Sequence, residues 1–281
     1  MGLSCRIVAA VVAAVLLVGA AGAATGPAAG SAAFLVGRQS ANGGFAELGH
    51  DPDGPLTAWA VLGLVAADGP PLARARALDF LRGHAAEVST DADLALRVAA
   101  LAALGETVDE TVVARLRQHR PDVLVNATMW TVLALRAVGE QPPKTLVQAI
   151  LTSQRKGGGF PWSRGGSPDS NDTAAAIQAL RAAGVAGHPI DRAVAALMTF
   201  QNRDGGFSLT KGRESDAQST AWAIQALLSA GKRPGKAPFR FLARLRRSDG
   251  SYRYSLGYGS TPVWVTAQVL PALAGRPFPL R

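Results

Sequence analysis

Apolar residues recur in one composite pattern along most of the chain. Val194, Leu197 and Met198 stand at helical spacing and lead into Phe200-Gln201. A glycine pair follows at Gly205-Gly206, then Phe207, and a second apolar helix carries Trp222, Ile224, Leu227 and Leu228. The spacing predicts two helices per unit, with the glycines supplying left-handed conformations that end the first. Asp216 or Ser219 is a suitable N-cap for the second helix, and Gly231 ends it. The run Ser251-Tyr252-Arg253-Tyr254 is the main β-favouring stretch, and it is short enough to predict only a hairpin fragment.

The unit repeats. Phe34-Leu35, Gln39 and Gly43-Gly44-Phe45 precede Thr57-Ala58-Trp59; Ile150-Leu151, Gln154 and Gly158-Gly159-Phe160 precede Thr173-Ala174-Ala175. Gln154 and Gln201 are 47 residues apart, and Thr128 and Thr173 are 45 apart, so the period is steady. A last, diverged copy keeps Phe241-Leu242 and Asp249-Gly250-Ser251-Tyr252, then Val263 to Ala267. Two units without the glycine pair lie between the first and fourth. One joins Ala77–Gly83 to Asp91–Leu104, and the other joins Thr111–Gln118 to Thr128–Leu135. Six units result. Their second helices are apolar on most faces and alanine-rich, as expected of helices buried all round, whereas the first helices carry charge on one face. Six hairpins of this kind predict an inner ring inside an outer ring, closed so that no end is exposed.

The N-terminus has a different character. Arg6 precedes an uncharged apolar run from Ile7 to Val18 and small residues ending in Ala21-Gly22-Ala23, the pattern of a signal peptide over 1–23. An uncleaved membrane anchor is the second reading, since Ile7 to Ala24 carries no charge. A Gly/Ala/Pro-rich linker is expected at 24–31 and a single domain over 32–281. Cys5, the one cysteine in 281 residues, would leave with the signal, so packing alone must hold the exported fold. Cysteine-ligated metal sites are excluded by that count. His50, His84, His119 and His188 lie too far apart to suggest a metal site, and no cofactor is expected. The formal charge of +9 includes a cluster at Lys232-Arg233, Lys236, Arg240, Arg244 and Arg246-Arg247. Such a cluster suits a solvated helix face, or contact with anionic lipid headgroups or cell-surface polymer. No nucleic-acid motif accompanies it.

The repeat Phe34-Leu35, Gln39, Gly43-Gly44-Phe45 resembles that of squalene and oxidosqualene cyclases, and more loosely that of protein prenyltransferase β subunits and cobalamin carriers. The resemblance spans about Ala32 to Gly275 and implies an all-α fold, the α/α toroid of six helical hairpins. It also gives Asp169-Ser170-Asn171-Asp172-Thr173-Ala174 a meaning, because class II terpene cyclases protonate substrate with an Asp-x-Asp-Asp-Thr-Ala motif. The donor is the motif's third letter, which is Asn171 here and has no acidic proton. Asp172 and Asp169 match the flanking positions. They are candidate catalytic residues under this resemblance, and helix-capping residues under a purely structural reading. Prenylation is not implied, since its zinc ligands have no counterparts.

Trp59, Trp130 and Trp222 occupy equivalent positions in three inner helices. Facing the axis they would line a ligand cavity, and facing between the rings they would be core. The loop Gly157 to Gly166, with Trp162, would form a rim together with Arg213, Glu214 and Asp216. Three functions follow as expectations. The first is an exported toroid binding a hydrophobic small molecule, isoprenoid-like or corrin-like, through these residues. The second is a cyclase-like enzyme using Asp172 as acid, and the third a structural or protein-interaction toroid. Phe45, Phe160, Phe207 and Tyr252 read as plugs seating each hairpin on the next, with Gln39, Gln154 and Gln201 bonding to free backbone at neighbouring helix ends.

Overall fold

The computed structural model describes residues 26–121 and 123–280. The expected signal or anchor segment lies outside them. Among the described residues are twelve α-helices in two concentric rings. The inner helices are α2 (Gly54–Ala66), α4 (Asp91–Ala103), α6 (Val125–Ala137), α8 (Ser170–Ala182), α10 (Ala217–Ser229) and α12 (Pro262–Leu273). Each packs on the next, and α12 packs on α2, so the ring closes. The outer helices are α1 (Pro27–Val36), α3 (Pro71–Gly83), α5 (Glu110–Arg117), α7 (Lys144–Ser153), α9 (His188–Met198) and α11 (Ala237–Leu245). This is the α/α toroid of six hairpins that the repeats predict. No described helix is long and apolar enough to cross a membrane.

Two helices extend beyond their sequence-based bounds. Pro27 at the first turn, followed by alanines, starts α1 inside the segment expected to be a linker, and Pro71 likewise starts α3 ahead of Ala77. The expected hairpin fragment at Ser251–Tyr254 is reduced to a single bridge between Arg246 and Tyr252. A short hairpin forms instead in the glycine-rich loop, β1 (Phe160–Pro161) pairing with β2 (Pro168–Asp169).

The repeated residues form a regular joint. The backbone N–H groups of Phe45, Phe160, Phe207 and Tyr252 donate to Thr57, Thr173, Thr220 and Thr266 at 2.9–3.0 Å, tying each loop to the inner helix of its own unit. The four aromatic rings are fully buried. Gln39 Nε2 donates to Gly43 O and to Ala73 O in the next outer helix, and Gln154 does the same toward Gly158 O and Pro189 O. Gly43 has a φ of 91°, and a Cβ there would lie 2.2 Å from the Arg76 carbonyl, so only glycine lets the two segments meet.

Ring closure reuses the same joint. Gly250 approaches Gly30 of α1 as closely as Gly43 approaches Arg76, and Ser31 Oγ donates to Gly250 O at 2.7 Å. The first unit also caps the last, with Glu47 accepting from the backbone of Val263 at 3.1 Å and Trp264 at 2.8 Å. A carboxylate there satisfies free N–H groups and faces the positive end of α12, whose Thr261 supplies no side-chain cap.

Candidate functional site

The inner helices start at one mouth of the ring. Asp53, Asp169 and Asp216 cap α2, α8 and α10, each accepting from the backbone N–H three residues on at 2.7–2.8 Å. Among the described residues no side chain caps helix α6. Its Asn126 N–H instead donates to Trp162 O at 3.1 Å, and Arg164 N–H to Val123 O at 2.8 Å, so the glycine-rich hairpin docks on the start of α6. These contacts place Trp162, 55% exposed, at the edge of the mouth.

The threonine of the joint gives the repeats a common register. Two residues after it stand Trp59, Trp130, Ala175, Trp222 and Gln268, and two residues before it stand Asn126, Asn171 and Gln218. All of these side chains line one cavity of about 390 Å³, together with Asp169, Asp172, Trp162 and Leu209. The cavity therefore has an aromatic floor, a wall of carboxamides and carboxyls, and an open side. Ala175 makes the room, since a tryptophan at its position would fill the ring of floor residues.

The three floor tryptophans meet edge to face, with centroids 5.2 Å (Trp59 to Trp130), 6.0 Å (Trp59 to Trp222) and 5.7 Å (Trp130 to Trp222) apart. Phe278 of the C-terminal segment touches all three at 5.8–6.2 Å and does not line the cavity. The segment reaches the axis from the far mouth. Arg276 bonds to the carbonyls ending α2 and to Asp68, and Phe278 N–H donates to Gln178 Oε1 at 2.9 Å. The axis is thus filled below the tryptophans. They face it, as a ligand site requires, and they also pack as core.

Asp172 is buried in the wall. Asn126 Nδ2 donates to its Oδ1 at 2.6 Å, and its backbone N–H donates to Asp169 Oδ1 at 2.8 Å, so that Asp169 is its neighbour. Burial, and then the neighbouring Asp169, push the Asp172 carboxyl up to about 8, while the Asn126 bond pulls the other way. The acid is therefore mostly protonated at neutral pH. Trp222 Nε1 and Gln218 Nε2 both donate to Gln268 Oε1, at 2.7 and 3.0 Å, which fixes the amide of Gln268 and leaves its buried Nε2 without a partner among the described residues.

Of the residues singled out in the sequence, Asp169, Asp172, Trp59, Trp130, Trp162 and Trp222 come together here. Asp216 does not line the cavity. It is a buried cap, bonded to Ser219 N and Oγ at 2.7 Å, and burial pushes its carboxyl up to about 6. Sequence reasoning missed Asn126, Gln218 and Gln268. Counting from the joint threonine would have found them.

A family profile described as prenyltransferase alpha-alpha toroid domain matches residues 31–247. No curated protein matches the chain. Among solved structures, a variant of the type II terpene cyclase MstE from Scytonema, in complex with its substrate geranylgeranyl dihydroxybenzoate, is similar with a TM-score of 0.66. It is 16% identical over 89% of this chain and 96% of its own. A protein from Actinoplanes gives 0.64 at 18% identity, covering 89% of this chain and 98% of that one. A glycosidase variant in complex with glucose gives 0.62 at 14% identity, covering 89% and 95%. At these identities the likeness speaks for the fold, and the profile covers well over half of the sequence: the chain belongs to the prenyltransferase alpha-alpha toroid family.

Proposed function

We propose that the N-terminal mouth of the toroid binds a compact small molecule, with an apolar face against the tryptophan floor. One observation carries this reading: a buried, hydrogen-bonded Asp172 shares a cavity of about 390 Å³ with three packed tryptophans, a size within the range of small-molecule sites. Two neighbours of the same fold hold ligands, geranylgeranyl dihydroxybenzoate in MstE and glucose in the glycosidase. The filled axis narrows the isoprenoid-like or corrin-like ligand expected from sequence to one that sits at the mouth without threading the ring.

A second reading has its own support. Asp172 is an acid kept protonated at the wall of an aromatic-floored site, which is what proton donation to a neutral alkene needs. Asn171 occupies the donor letter of the cyclase motif, so Asp172 would act from the adjacent position. Incubation of the protein with squalene, with tryptophan fluorescence and product analysis, tests both readings. Quenching without product supports binding alone, and product that vanishes in Asp172→Asn supports the acid. If neither squalene nor any other small-molecule probe perturbs the tryptophans, the proposal fails.

Export through residues 1–23 belongs to the same proposal, and so does contact of the exposed Arg233, Lys236 and Arg240 with an anionic surface. A secreted protein beginning at Ala24 by mass spectrometry would support cleavage. An intact N-terminus in the membrane fraction would support the anchor.

A further inference from the structure

We infer that the mouth takes a neutral ring bearing several hydroxyl groups, of the class of a monosaccharide or cyclic polyol, with its C–H face on the tryptophan floor. The inference rests on the reading of the mouth as a binding site and names its ligand class. Three observations lead to it.

The unused polar atoms of the wall are of both kinds. Asn171 Nδ2 is a donor and Gln218 Oε1 an acceptor, each without a protein partner among the described residues. A phosphate would use only donors and an ammonium only acceptors, whereas a hydroxyl is both. A plain hydrocarbon would strip these amides of water and return nothing, leaving them unsatisfied.

The charge is low where the ligand would sit. Asp172 is buried beside Asp169, its backbone N–H bonded to Asp169 Oδ1, and is held in its neutral form. A neutral ligand therefore meets no unpaired double negative charge.

The third observation is shape. Trp59, half-buried in the floor, and Trp162, 55% exposed at the rim, give a ring-shaped ligand two aromatic surfaces in a cavity that is shallow because the axis below is filled. The electron-rich faces of aromatic rings favour the C–H face of a hydroxylated ring.

The test is a tryptophan-fluorescence titration of the full-length protein with four probes: methyl β-glucoside, myo-inositol, farnesol and choline. The expected result is saturable quenching by one or both hydroxylated rings, weakened about tenfold by Asn171→Ala and by Gln218→Met, the loss of roughly one hydrogen bond each. Both positions are only partly buried in the first turn of a helix, and far-UV circular dichroism checks that each variant is folded. Asn171→Ser, which keeps a donor, should recover part of the affinity. Saturation by farnesol or choline with silence from both rings overturns the ligand class and leaves the mouth as a binding site. Ring binding unchanged in both variants also overturns it. Silence from all four probes overturns the ring and counts against the mouth itself.

Discussion

Asn126 Nδ2 stands 2.6 Å from Asp172 Oδ1, a bond from α6 to α8 that joins the wall of the mouth to the hairpin holding Trp162. It opposes the upward push of burial on the Asp172 carboxyl. Asn126→Leu removes that opposition, so the Asp172 carboxyl should titrate higher than in the wild type. The stability cost should be about 1–3 kcal/mol, because a buried polar group loses its partner. Carboxyl carbon NMR titration reads the first effect and denaturant unfolding the second.

Stability should fall as pH rises through the neutral range. The folded-state values of Asp172 and Asp216 are raised, to about 8 and about 6, above the ordinary carboxyl value of 3.8. The folded state therefore holds more protons than the unfolded one between those limits, and each group's contribution is full below 3.8. The Asp216 part is lost by about pH 6 and the Asp172 part continues to decline to about pH 8. Thermal midpoints measured from pH 4 to 9 should decline and then level off. In Asp172→Asn the decline between pH 6 and 8 should disappear.

Ala175 is the one small residue in a ring that carries tryptophan at Trp59, Trp130 and Trp222. Ala175→Leu should fill the mouth and abolish quenching by any bound ligand. Its stability cost should be about 1–3 kcal/mol, since the added atoms enter space that is open on one side. Calorimetric titration and thermal unfolding of the same variant separate the two effects.

Phe278 completes the aromatic cluster from the far side, at 5.8–6.2 Å from all three tryptophans. Phe278→Ala should cost about 3–5 kcal/mol, the range for truncating a buried aromatic. Tryptophan emission should shift to the red as water reaches the floor. An unchanged spectrum would mean that the segment does not fill the axis in solution.

The ring was legible because its joints are repeated chemistry. A loop glycine, an aromatic and a threonine recur at a fixed spacing, and the aromatic and the threonine meet in the same way in four units. Asp169 and Asp216 were recognisable as caps by the same logic. The orientation of the tryptophans was not legible, because facing the axis and packing as core are one arrangement once Phe278 fills the axis. Phe278 and Arg276 carry no repeat signal that would announce this. The start of α6 was hidden too, since its Asn126 N–H bonds to a backbone carbonyl of Trp162 from a distant loop and no side chain among the described residues caps it. Gln268 sits in the diverged last unit, where it replaces the tryptophan of other units and only the register from Thr266 reveals it.

Side-chain NMR tests most directly whether ligand binds at the N-terminal mouth. The carboxamide signals of Asn126, Asn171, Gln218 and Gln268 and the indole signals of Trp59, Trp130, Trp162 and Trp222 are followed as methyl β-glucoside is added. Saturable shifts concentrated on Asn171, Gln218 and Trp59, absent in Ala175→Leu, are the predicted result. Shifts confined to residues away from this mouth, or shifts that persist in Ala175→Leu, would contradict it.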